Sequence, residues 1–438
     1  MTNCIAKKIQ FPPFKGLSVE AQFVEEEVTG DGGVLLLREI DRKLRLTERL
    51  SKIIPDKRDP LKIQHTMKSM LQQRIYGLAL GYEDLNDHNQ IRHDAALQTA
   101  IDKIEALASS STLCRLEHTA NRKIAFEMSK ILVEIFIESF KQPPKELILD
   151  MDATEDEVHG HQEGRYYHGY YQSYCFLPLH IFCGEQLLVS YLRPSFMDGA
   201  KHAWAIIALL VKRFREVWPF VKIIVRADSG FCRDSMLRWF EKKNISYIIG
   251  IPGNNRLEQA CLELQNEAEH HFKQFKESVC LFGEFKYSAE SWDKERRVIV
   301  KVEHTGEGLN TRYTLTNIKQ RDAERLYKDV YCKRANMENR IKELKNDLYS
   351  DRTSCHRWWP NQFRLLLSSM AYVLMEGMRR LALKNTELAK AQCSSIRLKL
   401  YKIGAVIFRN TRRVCFLLSH SFPRPELFSN TAENLCYG

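Results

Sequence analysis

The sequence lacks several features that would place it in other classes of protein. Its twelve cysteines include no pair spaced C-x2-C, so a structural zinc site is not expected. It shows no secretory signal pattern, which predicts reduced thiols and a cytoplasmic protein. The longest uninterrupted apolar run, at residues 203–211, is too short to cross a bilayer, so no membrane partner is expected. No internal repeat or low-complexity tract is present.

Acidic residues are outnumbered by basic ones. The 438 residues carry 66 Lys and Arg against 55 Asp and Glu, a formal charge of +11 with a pI near 9.0. This surplus favours attraction to a polyanion such as DNA, although many proteins of this size are mildly basic without such a partner. The length is sufficient for two or three domains with a sizeable core.

The segment YCKRANMENRIKELK, at residues 331–345, contains Tyr331, Arg334, Glu338 and Lys345. On a uniform α-helix, with ~100° of rotation per residue, these side chains fall within a stripe of about 60°. A carboxylate flanked by two cations and a phenol suits a metal ligand surrounded by phosphate-binding groups. The alternative is a solvated helical face held by ion pairs four residues apart, and the helix alone does not distinguish the two.

Two predicted strands upstream end in aspartates. Residues 147–152 form an apolar run that ends in Asp152, and a second run, at residues 221–227, is followed by Asp228. Active sites of open α/β sheets lie where strands end, although an aspartate there often only caps the next turn. Together with Glu338, the two aspartates form the oxygen-rich set that two Mg²⁺ ions need for phosphoryl transfer.

The order D…D…E, with the last acid inside Y-x2-R-x3-E-x6-K, resembles the bacterial insertion-sequence DDE transposases that carry the YREK signature. Further phrases resemble one subgroup of these enzymes, transposase DDE domain group 1. In chain order they are GDGGVLLLREID, GYEDLNDHNQIRHD, STLCRLE, LDMDATEDEVHG, RADSGF and ENRIKELKND. The resemblance runs from about residue 20 to about residue 417 and implies a ribonuclease H-like catalytic domain.

The resemblance also implies roles for the matching residues. The catalytic, metal-binding triad would be Asp152, Asp228 and Glu338. The contacts with DNA phosphates would be Tyr331, Arg334 and Lys345. The implied cofactor is Mg²⁺ or Mn²⁺, as two ions. The implied partner is double-stranded DNA, both the terminal inverted repeats of the transposon and the target, bound by a homodimer in the synaptic complex.

The predicted elements support the same fold class, an α/β protein with a ribonuclease H-like core. After the Asp152 strand we expect two antiparallel strands, a helix, the Asp228 strand, a helix and a further strand, at residues 174–183, 185–192, about 201–218, 221–227, about 234–243 and 245–251. This order, βββαβαβ, is that of the expected core, which the Glu338 helix completes.

Residues 254–320 are polar and rich in predicted strands, which indicates a β-rich insertion between Asp228 and Glu338. The resemblance implies such an insertion, with contacts to DNA. Trp292, within it, is a candidate to stack on an unpaired base near the cleavage point. Packing on the core or on a strand face is the alternative for this side chain.

The N-terminal region is predicted to be mostly helical and to bind the transposon end. A helix at residues 61–82 precedes a unit at residues 109–136 that begins with a Ser/Thr cap cluster and then becomes amphipathic. This unit suits either a recognition helix in a major groove or a helical bundle packed on the core. The basic C-terminal stretch suits either a DNA-facing or a packing role. The predicted domains span residues 1–145, 146–253, 254–320, 321–385 and 386–438.

These observations favour a metal-dependent transposase that hydrolyses a phosphodiester at the transposon end and joins the freed 3′ hydroxyl to target DNA. A nuclease on the same fold, without strand transfer, is one alternative. A non-catalytic DNA-binding descendant of a transposase is the other, and the complete triad and signature argue against it.

Overall fold

The computed structural model describes residues 8–437, so residues 1–7 of the predicted N-terminal region and residue 438 of the predicted C-terminal segment lie outside it. The first part contains β1 (Ile9–Phe14), β2 (Leu17–Ala21), β3 (Glu27–Thr29), α1 (Val34–Leu44), α2 (Leu46–Ile53), α3 (Met67–Leu80), α4 (His88–Ile91), α5 (Ala95–Ala100), α6 (Ser110–Glu117) and α7 (Arg122–Glu138).

The central part contains β4 (Glu146–Ala153), β5 (Asp156–Glu157), β6 (Tyr166–His168), β7 (Ser173–Phe176), β8 (Leu179–Cys183), β9 (Gln186–Tyr191), α8 (Ala203–Val217), β10 (Lys222–Ala227), α9 (Asp234–Lys242) and β11 (Ser246–Ile251). It continues with α10 (Asn255–Ala260), α11 (Leu262–Phe275), β12 (Val279–Tyr287), β13 (Arg296–Thr305) and β14 (Gly308–Thr316). The last part contains α12 (Ala323–Arg325), α13 (Ala335–Lys342), α14 (Trp358–Leu381), α15 (Cys393–Ile396), β15 (Ala405–Arg409), β16 (Val414–Leu418) and α16 (Pro425–Cys436).

The main sheet is mixed, with the strand order β12-β13-β14-β11-β10-β4-β8-β9. Strands β4, β10 and β11 are parallel to one another, and the remaining neighbours pair antiparallel. One sheet face carries Leu149, Val225 and Ile249, which are fully buried in the core that includes α8 and α9. The other face carries Asp150, Arg226 and Ile248, because successive side chains of a strand point to opposite sides. The protein is therefore of the α/β class.

The predicted meander is confirmed as β8 and β9, but the first predicted run is divided. Residues 174–176 belong to β7 in a small separate sheet of order β5-β7-β6, and β8 begins only at Leu179. Pro178 lies at the break. Proline has no N–H to donate to a strand ladder, which explains why the chain changes sheets here.

The prediction of a β-rich insertion at residues 254–320 is partly wrong. The segment begins with the helices α10 and α11, and its three strands extend the main sheet through pairing of β14 with β11. Residues such as Val298, Val300 and Leu315 bury this extension against the same core as the parallel strands. The strands were predictable from local apolar patterns, whereas their neighbour in the sheet depends on a distant segment.

The predicted helical unit at residues 109–136 forms two helices, α6 and α7. Asn121 has an extended backbone, and its side-chain oxygen accepts a hydrogen bond from the N–H of Ile124, so it caps a new helix. Both helices contribute to a large apolar cluster with α1, α3 and the deeply buried α14. Packing in a bundle, the second of the two predicted roles, accounts for the apolar face of this unit.

The first and last parts of the chain are joined in one sheet, in which β15 pairs with both β3 and β16. The N–H groups of Gly32 and Gly33 donate to the carbonyls of Ile403 and Tyr401, at 2.9 and 3.1 Å. A Cβ atom on Gly33 would lie 1.9 Å from the carbonyl oxygen of Leu400. The GDGG phrase therefore serves close packing on the C-terminal segment. None of the helices among residues 8–437 has the length and hydropathy needed to cross a membrane.

Candidate active site

The two predicted aspartates lie side by side. Strands β4 and β10 are parallel neighbours, with Asp150 opposite Arg226 and Met151 opposite Ala227, and the same register places Asp152 next to Asp228. Neighbouring strands lie about 4.8 Å apart, so the two aspartates lie close together where these two strands end. Asp228 ends its strand, and its carboxylate accepts a hydrogen bond from the N–H of Gly230 at 2.9 Å. The predicted position of both aspartates at strand ends is confirmed.

A buried ion pair lies two residues deeper along the same strands. Arg226 donates to both carboxylate oxygens of Asp150, with 2.6 Å between Nη2 and Oδ2, and it also donates to the carbonyl oxygen of Val330. Asp150 is 2% exposed and Arg226 6%. Burial raises the pKa of Asp150, and the guanidinium of Arg226 opposes that shift. We call Asp150, Arg226 and the Val330 carbonyl the inner layer.

The inner layer joins the two strands to the segment that carries Glu338. This segment is not the uniform α-helix that was expected. Residues 326–331 and 343–347 form wide π-type turns, residues 332–334 form a tight 3-10 turn, and only α13 is regular. The expected rotation of ~100° per residue therefore does not hold at every step along the signature.

Arg334 and Glu338 remain close to the aspartates. The guanidinium of Arg334 donates from Nη2 to Oε1 of Glu338 at 2.8 Å, and its Nη1 lies 3.7 Å from Oδ1 of Asp152. We call Asp152, Asp228, Glu338 and Arg334 the outer layer. Burial raises the pKa of Asp152 to about 7; Arg334 opposes the shift, and the carboxylates of Asp228 and Glu338 add to it. The three acids thus share one electrostatic environment.

Tyr331 lies against β11 at a glycine. A Cβ atom on Gly250 would be 2.9 Å from the Tyr331 hydroxyl oxygen and 2.9 Å from the backbone nitrogen of Ser229. Burial raises the pKa of Tyr331; Arg334 opposes this and Asp228 adds to it. Glycine is therefore required for the signature segment to approach the sheet beside Asp228. The glycine within the apolar run SYIIGI is visible in the sequence, but its contact with the distant Tyr331 does not follow from that run.

Lys345 contacts the chain that follows Asp152. Its ammonium donates to the carbonyl oxygen of Glu155 at 2.5 Å and lies 3.9 Å from Oδ1 of Asp156. Asp156 is fully buried at 1% exposure, and neither of its carboxylate oxygens has a hydrogen-bond partner among the described residues. Burial raises the pKa of Asp156 well above its ordinary value, and Lys345 opposes the shift. No local pattern distinguishes Asp156 from its acidic neighbours in the sequence.

Residues 11–437 match the model of the family described as transposase DDE domain group 1. The chain belongs to this transposase family. A search of curated proteins gives no match. A cryo-EM structure of a piggyBac transposase synaptic complex with hairpin DNA is similar over 86% of this chain and 83% of that chain, with 11% identity and a TM-score of 0.39.

The acids of this transposase have only some of the properties that a divalent ion requires. Their carboxylate oxygens are the donors that Mg²⁺ and Mn²⁺ prefer, and the raised pKa of Asp152 reflects in part the negative charges of its neighbours. Within residues 8–437, however, no three His, Cys, Asp or Glu side chains are arranged to hold one ion. Arg334 bridges Asp152 and Glu338 instead. The residues fit such ions in type and charge, and the guanidinium of Arg334 lies against two of them.

Trp292 lies in a different environment. Its ring packs edge-on against Tyr287, with 5.5 Å between the ring centroids, and the guanidinium of Arg296 lies 5.3 Å from its centroid. The side chain is half-buried against the core of the sheet. This is packing on the core, the alternative to stacking on a base. Stacking on a base stays a prediction, and it would require Trp292 to leave these contacts.

Proposed function

We propose that this protein is a bacterial insertion-sequence transposase that cuts transposon ends and joins the freed 3′ hydroxyl to target DNA. The observation that carries the proposal is the adjacent placement of Asp152 and Asp228 on parallel strands, with Glu338 linked to them through Arg334. The strand order β9-β8-β4-β10-β11, with β9, β8 and β4 antiparallel and β4, β10 and β11 parallel, supports a ribonuclease H-like core.

The residues that would hold Mg²⁺ or Mn²⁺, two ions in this proposal, are Asp152, Asp228 and Glu338. Bound ions would supply charge stabilisation at the attacking and leaving oxygens of an in-line displacement. The chain itself positions the three acids: Arg226 fixes strands β4 and β10 against the signature segment, and Lys345 holds the backbone that follows Asp152.

Arg334 has two possible partners in this proposal. It now offsets part of the negative charge of Asp152 and Glu338. If bound cations neutralised these acids, its planar guanidinium would be available to bind a DNA phosphate, as the signature implies. Tyr331 and Lys345 are proposed to contact phosphates as well. For Lys345 this contact competes with the carbonyl of Glu155.

The proposed partners are the terminal inverted repeats and the target, both double-stranded DNA, held by a homodimer in the synaptic complex. The formal charge of +11 supports a polyanionic partner. In this proposal residues 1–145 contain the end-binding region, and the protein acts on DNA in the cytoplasm.

The decisive experiment uses the full chain and a labelled duplex taken from the DNA that flanks its reading frame. With Mg²⁺ or Mn²⁺ we expect cleavage that frees a 3′ hydroxyl and, with a target plasmid present, joining of the labelled end. A chelator should abolish both reactions, and adding the ion back should restore them. Glu338→Gln should lose both, whereas Glu324→Gln, an exposed acid of α12 that pairs with Lys328, serves as the matched control.

The outcomes distinguish the candidate functions. Cleavage without joining would favour the nuclease. Binding without cleavage in either ion would favour the non-catalytic descendant. Full activity of Glu338→Gln would exclude Glu338 from the site, and full activity in Ca²⁺ alone would contradict the proposed metal chemistry, because Ca²⁺ has longer and looser coordination.

A further inference from the structure

A hairpin near the outer layer exposes an unusual number of aromatic rings. Strands β6 and β7 and their turn form the tyrosine hairpin, defined here as residues 165–174. Four of its tyrosines are about half exposed or more, namely Tyr166, Tyr167, Tyr170 and Tyr174. The exposed Phe196 packs against Tyr166. Tyr170, in the turn, is 84% exposed. Contiguous exposed apolar surface of this kind commonly marks a binding site.

The rings of the tyrosine hairpin pack mainly on one another. Tyr167 and Tyr174 are a cross-strand pair with 5.6 Å between centroids, and Tyr170 meets Tyr171 at 5.0 Å. Both pairs are edge-to-face, an arrangement that leaves ring faces available to a further aromatic group.

The hairpin is anchored beside the catalytic acids. Strand β7 pairs with β5, which begins at Asp156, four residues after Asp152. Four extended residues span at most about 14 Å. Lys345 holds the intervening chain at Glu155, and the charges of Asp152 and Asp228 both contribute to raising the pKa of Tyr171, after burial and Glu155. Tyr171 therefore lies near the outer layer, and the exposed ring of Tyr170 packs against it.

The charge of the hairpin favours an anionic partner. Residues 164–174 include no acid. The guanidinium of Arg165 lies over the ring of Tyr174, 4.5 Å from its centroid, and its Nη2 donates to Nδ1 of His161 at 2.7 Å. The described contacts of its guanidinium are with an imidazole and a phenol ring rather than with a carboxylate, so its charge is available to a ligand.

We propose that the tyrosine hairpin binds unpaired nucleotides of DNA next to the cleavage site, with its exposed rings stacking on bases and Arg165 binding an adjacent phosphate. The inference rests on the proposed function and adds to it the site that receives the separated strand. Every base has a π-face, so aromatic platforms bind unpaired strands with little dependence on sequence. The carboxylates of the outer layer would repel the DNA backbone, and the cation of Arg165 offsets this repulsion.

The test measures the affinity of the full chain for three DNAs without divalent ions. The DNAs are a blunt duplex, the same duplex with a single-stranded thymidine overhang, and the same duplex with an abasic overhang that keeps the phosphates. Fluorescence anisotropy should show tighter binding of the thymidine overhang than of the abasic one. Tyr170→Leu should weaken binding of the thymidine overhang by about 5- to 150-fold, the value of one stacked base, and leave the other two DNAs unchanged.

Two variants serve as controls. Tyr170→Phe keeps the ring and should still bind the thymidine overhang more tightly than the abasic one. Phe220→Leu removes an aromatic that is 96% exposed but lies before β10, at the opposite end of that strand from Asp228, and should change nothing. Arg165→Gln should weaken binding of the thymidine and abasic overhangs equally, because both keep the phosphates.

Equal affinity of the wild-type chain for the thymidine and abasic overhangs, with the blunt duplex still bound, would overturn this inference alone. Failure to bind any of the three DNAs would overturn the proposed function as well. The Tyr170→Leu variant could instead bind the thymidine overhang more tightly than the abasic one, as the wild type does, but change its oligomeric state in sedimentation. This result would identify the hairpin as a protein interface and overturn the inference.

Discussion

The inner and outer layers occupy the same strands two residues apart, and they differ in how charge is balanced. In the inner layer one arginine and one aspartate satisfy each other out of contact with solvent. In the outer layer a single arginine contacts two of the three carboxylates, those of Asp152 and Glu338, and the side chain of Glu338 is 46% exposed. The first arrangement binds nothing further, whereas the second retains negative charge for cations. Two residues along these strands therefore separate an acid that supports the fold from the acids that we propose hold the ions.

The largest expected effect concerns the outer layer. Asp152→Asn removes one charged ligand with little change of shape, and we expect cleavage to fall by about 10³-fold or more, since metal stabilisation is worth several kcal/mol. The melting temperature should stay the same or rise, because a carboxyl group that burial disfavours becomes neutral. Cleavage assays and calorimetry test both statements. Asp329→Asn, an exposed acid of the signature segment, is the control. If Asp152→Asn lost as much stability as a variant of the inner layer, the difference drawn between the two layers would be contradicted.

The inner layer should respond in the opposite way. Arg226→Met leaves Asp150 buried without a partner, and we expect a loss of about 3–5 kcal/mol in the free energy of unfolding. Urea denaturation measures this loss. Arg226→Met combined with Asp150→Leu should recover most of it, because a buried ion pair can be replaced by apolar side chains at little cost. If the double variant is no more stable than the single one, the inner layer is not an isolated pair.

Asp156 sharpens the comparison, because it is as buried as the inner layer but lacks its own arginine. Its pKa is raised in the folded state, so its contribution to stability is fully present below the unfolded pKa of about 4 and is lost as pH rises toward the folded value. Asp156→Asn removes this loss. The variant should match the wild type at acidic pH and become relatively more stable as pH increases. Thermal melts across pH test this, and a constant difference at all pH values would contradict it.

The smallest effect is expected for the shared arginine. Arg334→Gln removes the cation that competes for Asp152 and Glu338, and a partly exposed pair contributes roughly 0.2–1 kcal/mol. We therefore expect Mn²⁺ to bind about two- to five-fold more tightly, measured by calorimetry, while DNA cleavage falls. Lys342→Gln, an exposed cation on α13, should leave Mn²⁺ affinity unchanged. Unchanged affinity in Arg334→Gln would show that the arginine does not occupy the ion site.

Much of the catalytic core was predictable because its signals are local. The strands of Asp152 and Asp228 are short apolar runs that end in an acid, and the order of elements follows from such runs. Arg226, Gly250 and Asp156 were missed because their roles depend on contacts with residues far away in sequence. The wide turns of the signature segment were missed because helical periodicity assumes a uniform rotation. The neighbours of β12–β14 in the sheet were not encoded in any local pattern.

The pairing of Thr29 with Ala405 has a consequence for how the protein is made. Translation at ~5–20 residues per second delays the partner strand by roughly 20–75 s after the first strand has been synthesised. During that time β3 is an unpaired edge strand, and the N–H groups of Gly32 and Gly33 lack the carbonyl groups that accept their hydrogen bonds in the folded protein. A premature stop codon near residue 400 would therefore leave β3 without its partner strand. We expect such a product to be degraded by proteases rather than to act as a shortened enzyme.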